Sequence, residues 1–291
     1  MNIPNFVRNQ IISFKIRKAY TFYNSLFEGV LADTEELKRE CYKLRYEVYC
    51  LEHSGYENAA SFPDGCESDE YDQRAVHMLL RYRETGAFVG TARLILQPPD
   101  EKVGALPVHK LCRENNLVLP ELFPLRHLAE ISRFCIIKDF RRRAQDTIAS
   151  GFYSAKELEN DKKRIIPSMS LGLMGMIIRT CRQYNVKQVY AEMEPFLLRL
   201  LDKLGFHWTL VGSSIEYHGK RHICYATDAQ LDQCKKERPE VWDFVTDKGR
   251  YSDADSASAL RIFGPNGCGL DPEDEIDFTA VDRETAPIGK S

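Results

Sequence analysis

The alternation of apolar and polar positions divides this chain into short elements of two kinds. After Thr34, a residue suited to capping a helix, Leu37, Cys41, Leu44, Val48 and Leu51 recur at helical spacing. Arg45 and Tyr49 border that stripe and therefore sit at the edge of a core. The polar stretch from Glu57 to Gln73, with Pro63, Gly65 and the acidic cluster Glu67-Ser68-Asp69-Glu70-Tyr71-Asp72, reads as a loop. Ala75 to Arg83 and Phe88 to Leu96 read as strands of a hairpin turned at Glu84-Thr85-Gly86, with Arg93 in the second strand. Pro98-Pro99 breaks the pattern, and Ala105 to Leu128, carrying Pro107, Pro120 and Pro124, reads as an excursion of short helices and loops.

The stretch Glu130-Ile131-Ser132-Arg133-Phe134-Cys135-Ile136-Ile137 is the centre of the chain. Its apolar, aromatic and β-branched content predicts a strand. Alternation places Glu130 and Ser132 on one face, with Arg133 on the other unless a bulge intervenes. A carboxylate and a hydroxyl at the head of a mostly buried strand are costly unless paired or chemically used. Lys138 to Pro167 is polar, with Arg141, Arg142 and Arg143 near its start. Ser168 is placed to cap a helix carrying Leu171, Met174, Ile178 and Cys181. Gln188 to Met193 reads as a strand, and Pro195 opens a helix that Gly205 ends. Short strands follow at His207 to Val211, Ile215 to Tyr217 and Arg221 to Ala226. The order of elements predicts a mixed α/β domain with mostly sequential antiparallel pairing.

Composition adds boundaries. The 291 residues are 43% hydrophobic, enough for a substantial core. No apolar run has the length of a membrane span. The first 30 residues mix Phe6, Ile11, Ile12, Phe14 and Ile16 with Arg8, Lys15, Arg17 and Lys18. This is an amphipathic basic helix rather than a signal peptide, expected to pack on the body or to touch a membrane surface weakly. Nine Cys without CxxC spacing read as reduced cytoplasmic thiols, and the scattered His give no metal pattern. From Asp243 onward eleven acids oppose five bases, leaving the body before it at +3 out of a total of −3. The expected organisation is a helical segment over 1–30, a catalytic body over 31–230, and an acidic, loosely ordered tail over 231–291. Nothing in the charge pattern points to nucleic acid.

Several separated segments, in order, resemble acyltransferases of the GNAT fold. They are Leu44-Arg45-Tyr46-Glu47-Val48-Tyr49-Cys50-Leu51-Glu52, the acidic cluster from Glu67, Val89-Gly90-Thr91-Ala92-Arg93-Leu94-Ile95-Leu96, and Ala129-Glu130-Ile131-Ser132-Arg133-Phe134. Met193-Glu194-Pro195, Leu197 to Leu201 and Glu216-Tyr217-His218-Gly219-Lys220-Arg221 follow. Together they resemble acyl-homoserine-lactone synthases, N-acyl amino acid synthases and, most closely, the acyltransferase family associated with the PEP-CTERM/exosortase system. The match covers roughly residues 30 to 228.

The resemblance implies a mostly antiparallel mixed sheet flanked by helices. It also implies a polar network of Arg45, Asp69, Asp72, Arg93, Glu130 and Arg133, with Tyr49 and Ser132 beside it and Glu130 as the general base. The implied reaction passes a fatty acyl group from acyl-phosphopantetheine on an acyl carrier protein to a small amine, without a metal or bound cofactor. Two departures bear on this. The lactone synthases carry a Trp shortly after the first Arg, where Gly55-Tyr56 stands here, which weakens an S-adenosylmethionine acceptor. The Gly-containing turn that cradles the CoA pyrophosphate is replaced by Arg141-Arg142-Arg143-Ala144-Gln145-Asp146, which favours docking of an acidic carrier protein. A lactone synthase and a non-catalytic carrier-binding module are the competing expectations.

Overall fold

A computed structural model describes residues 23–52, 56–98, 105–138 and 155–249. Its centre is an eight-stranded sheet with the path β1-β2-β3-β4-β5-β8-β6 and β7 paired to β8. The strands are β1 (Phe27–Leu31), β2 (Ala75–Tyr82), β3 (Phe88–Leu96), β4 (Leu128–Ile136), β5 (Gln188–Met193), β6 (Thr209–Leu210), β7 (Ile215–Glu216) and β8 (Lys220–Thr227). All neighbours pair antiparallel except β4 and β5. Those two run parallel because helix α3 (Ala155–Gln183) lies between them in the chain, the crossover that parallel strands require.

Alternation along the strands decides the layers. Met78, Leu80, Ala92, Leu94, Ala129 and Ile131 face a core shared with Met169, Leu173 and Ile177 of α3. Leu79 and Cys135 face the other way, onto Cys41 and Leu44 of helix α1 (Glu35–Tyr46). Further along that face Ile95, Leu128 and Tyr190 are covered by the excursion, including Val108 and Leu111 of helix α2 (Pro107–Glu114). At Gly172 the ring of Tyr23 lies where a Cβ would stand, so only Gly permits this approach to α3.

The hairpin, the central strand and the Thr34 cap form where the pattern places them. Four expectations are corrected. The helical segment over 1–30 does not extend through its last residues, because Phe27–Leu31 is the edge strand β1; residues 1–22 lie outside the described residues. The stripe after Thr34 fails at Leu51, which is 53% exposed, because the helix changes to a π-helical turn over Glu47–Glu52 and the register rotates. Ser168 does not cap a helix; it lies within α3. The tail does not begin at 231. Helix α4 is Pro195–Lys203, and helices α5 (Asp228–Glu237) and α6 (Pro239–Val245) follow β8; Val241, Trp242, Phe244 and Val245 of α6 are buried in the α3 core. Apolar spacing in Val241-Trp242-Asp243-Phe244-Val245 outweighs the acidity of the sequence around it. Residues 250–291 lie outside the described residues.

Candidate active site

Two features of the sheet open a site at its centre. The pairing of β4 with β5 stops at Glu130↔Tyr190, although both strands continue beyond it. On its other side β4 bulges: Thr91 faces Cys135 and Arg93 faces Ser132, so Ala92 opposes both Arg133 and Phe134. Arg133 takes φ +51°, a left-handed conformation costly for a residue with a Cβ. The bulge was the one condition under which Arg133 could leave the face that strict alternation assigns it.

The gap is a cavity of about 400 Å³. One part is apolar, lined by Ile131, Met174, Ala191, Leu197, Leu200 and Trp208. The other carries Glu130, Ser132, Arg133, Glu192, Tyr217 and Arg221.

Arginines from three elements converge on acids from one loop. Arg45 of α1 is fully buried; its Nε donates to Glu67, and its two Nη atoms donate to Asp72 at 2.7 and 3.1 Å. Arg93 of β3 donates from Nη1 to Asp69 and to Asp72, both at 2.6 Å, and from Nε to Ser132 Oγ at 2.9 Å. Arg133 donates from Nη2 to Glu67 at 2.9 Å and to Asp69 at 3.3 Å. The acids are held by their own backbone. The Asp69 side chain accepts from Tyr71 N, and Asp69 N donates to Asp72 Oδ2 at 2.8 Å, a capping box on the 3₁₀ turn Glu70–Arg74. Burial alone would raise the Asp72 and Glu67 carboxyls. The arginines outweigh it and hold both below the ordinary range. His77, beside Asp72, is pushed down to about 4 by burial and is neutral.

Glu130 stands apart from this network, which corrects one expectation: Glu67 takes the place assigned to it there. Glu130 is 1% exposed, and its Oε2 accepts from Val108 N at 2.8 Å. Burial, then the neighbouring Glu192, raise it well above the ordinary range against the opposing fields of Arg93 and Arg133. That shift favours the protonated form of Glu130. Glu192 of β5 is pushed up by burial to about 7, opposed by its own backbone N–H and then by Arg221, Arg133 and Arg93. Its Oε1 is shielded and has no hydrogen-bond partner.

Aromatic rings wall the mouth. The π-helical turn sets Tyr49 under Arg133, whose guanidinium carbon lies 5.6 Å from the ring centroid. Tyr49 meets Tyr56 at 4.8 Å, Tyr56 stacks on His218 at 4.5 Å, and Arg221 lies over Tyr56 at 5.7 Å. Tyr56 thus fills a site position where the resemblance left a missing Trp. The Cys135 thiol, also at the cavity, is pushed up to about 12 by burial and is not an activated nucleophile. Among the described residues no group of three or more His, Cys, Asp or Glu is placed to hold a metal ion.

The structure therefore gathers Arg45, Tyr49, Asp69, Asp72, Arg93, Ser132 and Arg133 at one place, with Glu130 in the same cavity but unpaired. Arg141, Arg142 and Arg143 lie outside the described residues. Sequence reasoning missed Glu67, Glu192, Tyr56, Tyr217 and Arg221 as site residues. Glu192 was findable as a lone carboxylate inside a buried strand, the same signal that singled out Glu130.

A family model described as an acetyltransferase (GNAT) domain matches residues 44–151. No curated protein matches the chain. Among solved structures, TofI in a ternary complex with an inhibitor and MTA aligns at a TM-score of 0.50 and 17% identity, over 74% of this chain and 96% of its own. The acyl-homoserine-lactone synthase LasI aligns at 0.47 and 18%, over 69% and 87%. FeeM, an N-acyl amino acid synthase from uncultured soil microbes, aligns at 0.45 and 14%, over 71% and 93%. With the domain match running from the end of α1 through the acidic turn, the hairpin and the bulged strand, the chain is an acyltransferase enzyme with a GNAT-like fold.

Proposed function

We propose that this acyltransferase moves a fatty acyl group from a phosphopantetheine thioester on an acyl carrier protein to the amine of a small acceptor, an amino acid, giving an N-acyl amino acid. The carrying observation is the divided cavity. Ile131, Met174, Leu197 and Leu200 line a space suited to an alkyl chain, and the charged part lies directly beyond the bulge. An amino acid brings a carboxylate, which Arg221 and Arg133 are positioned to meet, and an amine, which needs a proton acceptor. The residue left out of the ladder at the bulge offers a backbone N–H to the tetrahedral oxyanion. A thiolate leaves readily, so no enzyme-bound acyl intermediate is needed. This reading keeps the resemblance to the PEP-CTERM/exosortase-associated acyltransferases. It also assigns the reaction to the cytoplasm, in keeping with eight free cysteines among the described residues.

The test is the purified protein with acyl-carrier thioesters or acyl-CoA and a set of amino acids, Tyr first, read by mass spectrometry. N-acyl amino acid is the expected product. A lactone formed from S-adenosylmethionine would replace the acceptor. Charge reversal of Arg141 and Arg142 should weaken use of the carrier in a salt-dependent way. Equal or better turnover with acyl-CoA would overturn the carrier as donor.

A further inference from the structure

Glu130 and Glu192 form a carboxyl pair that the charge network beside them does not neutralise. Leu128, Glu130 and Ser132 point to one face of β4, and Gln188, Tyr190 and Glu192 to the same face of β5. The parallel register Glu130↔Tyr190 puts Glu192 one step further along, where the strands have parted. The two acids are not equivalent. Glu130, at the wall of the same cavity, is 1% exposed, and one of its oxygens accepts from Val108 N. Glu192 lines the open cavity with an oxygen that no group in the structure uses. A buried carboxylate oxygen left without a donor is costly, and a substrate N–H is the kind of group that would satisfy it.

Resting on the amine-acceptor reading above, we propose that Glu192 is a catalytic residue of this enzyme, the group that takes the proton from the acceptor nitrogen, while Glu130 lies beneath it with one oxygen held by Val108 N. As the nitrogen lone pair forms the N–C bond, the C–S bond breaks and sulfur leaves with the bonding pair. The proton lost by nitrogen goes to the Glu192 carboxylate and from there to the thiolate, so charge and atoms balance with no further reagent. The titration of Glu192 suits the task, since a base works best when poised near the operating pH. The groups facing it are Glu130 and Arg133 on β4, Arg93 on β3, Arg221 and Cys224 on β8, Cys112 on α2, Tyr56 in the loop after the π-helical turn, and Tyr217 after β7. Burial raises the tyrosines and cysteines among these groups, and His218 stands at the mouth, stacked on Tyr56.

The experiment is a pH–rate profile of wild type, Glu192→Gln and Glu130→Gln, with both donors supplied and with thiol release followed beside amide formation. Wild type should show an acid limb near pH 7. Glu192→Gln should lose about 10²-fold in kcat and lose that limb. Glu130→Gln leaves Glu192 in the cavity and should keep the limb. A limb retained in Glu192→Gln and abolished in Glu130→Gln would overturn the assignment. Should Glu192→Gln not fold, Glu192→Asp decides: a displaced limb supports Glu192, and an unmoved one opposes it. Thiol release without amide in wild type would overturn the amine acceptor, and the behaviour of the limb in thiol release would still decide whether Glu192 takes the proton.

Discussion

Two groups of buried charge lie within a few residues of each other along β4, and they differ in every respect that matters. In the first, Arg45, Arg93 and Arg133 meet Glu67, Asp69 and Asp72 in equal number, and each acid is bridged by two arginines. In the second, Glu130 and Glu192 share a site, and no ion pair is formed by either among the described residues. Burial acts on both groups in the same direction. In the network the guanidiniums outweigh it and the acids stay ionised. In the pair nothing outweighs it, and the acids hold protons toward neutral pH. The same residue type is thus an inert tie on one side of the bulge and a titrating group on the other.

The largest effect expected from breaking this contrast is on the network. Arg45→Leu takes from Glu67 and Asp72 one of the two arginines that each holds and should destabilise the protein by about 3 kcal/mol, read by urea unfolding. Asp72→Asn keeps the shape and some hydrogen bonds and should cost less. If Arg45→Leu is neutral, the network is not what fixes the acidic turn to the sheet.

That network was legible in the sequence in all but one partner. Arg45 and Arg93 sit at the margin of an apolar stripe and inside a strand, but it is the resemblance to the GNAT acyltransferases that implied their grouping with Asp69, Asp72 and Arg133. Glu67 was not in that group: its partners are 22 and 66 residues away, and only the fold brings them together. Glu130 was conspicuous, but the pattern alone does not separate it from the network, because a carboxylate in a strand looks the same whether an arginine faces it or another carboxylate does. The neighbour that decides this comes from β5, reached only by the parallel crossover. The order of strands survived translation to three dimensions because apolar alternation is local. The tail boundary did not, because the acidic composition there masks a short apolar run.

A smaller effect separates the two groups by pH. Asp72, held below its unfolded value, contributes stability above the ordinary aspartate range, and loses it as pH falls through the depressed value. Glu130 and Glu192 work the other way. Their folded values are raised, so the folded state holds extra protons, and stability falls as pH rises from the ordinary glutamate range through about 7. Wild-type stability, read by urea unfolding at a series of pH values, should therefore decline across this window. Each extra proton held by the folded state steepens the decline by about 1.4 kcal/mol per pH unit, so Glu130→Gln should show the shallower slope. Parallel declines in the two proteins would mean that Glu130 ionises freely in the fold.

The contrast itself is most directly measured by following side-chain carboxyl resonances in protein carrying ¹³C-labelled Glu and Asp, from acid to mild alkali, with Glu67→Gln, Asp72→Asn, Glu130→Gln and Glu192→Gln spectra for assignment. The account predicts that Glu67 and Asp72 remain ionised below the ordinary carboxylate range, that Glu192 titrates near pH 7, and that Glu130 titrates well above the ordinary glutamate range. Four carboxyls titrating together in the ordinary range would contradict it.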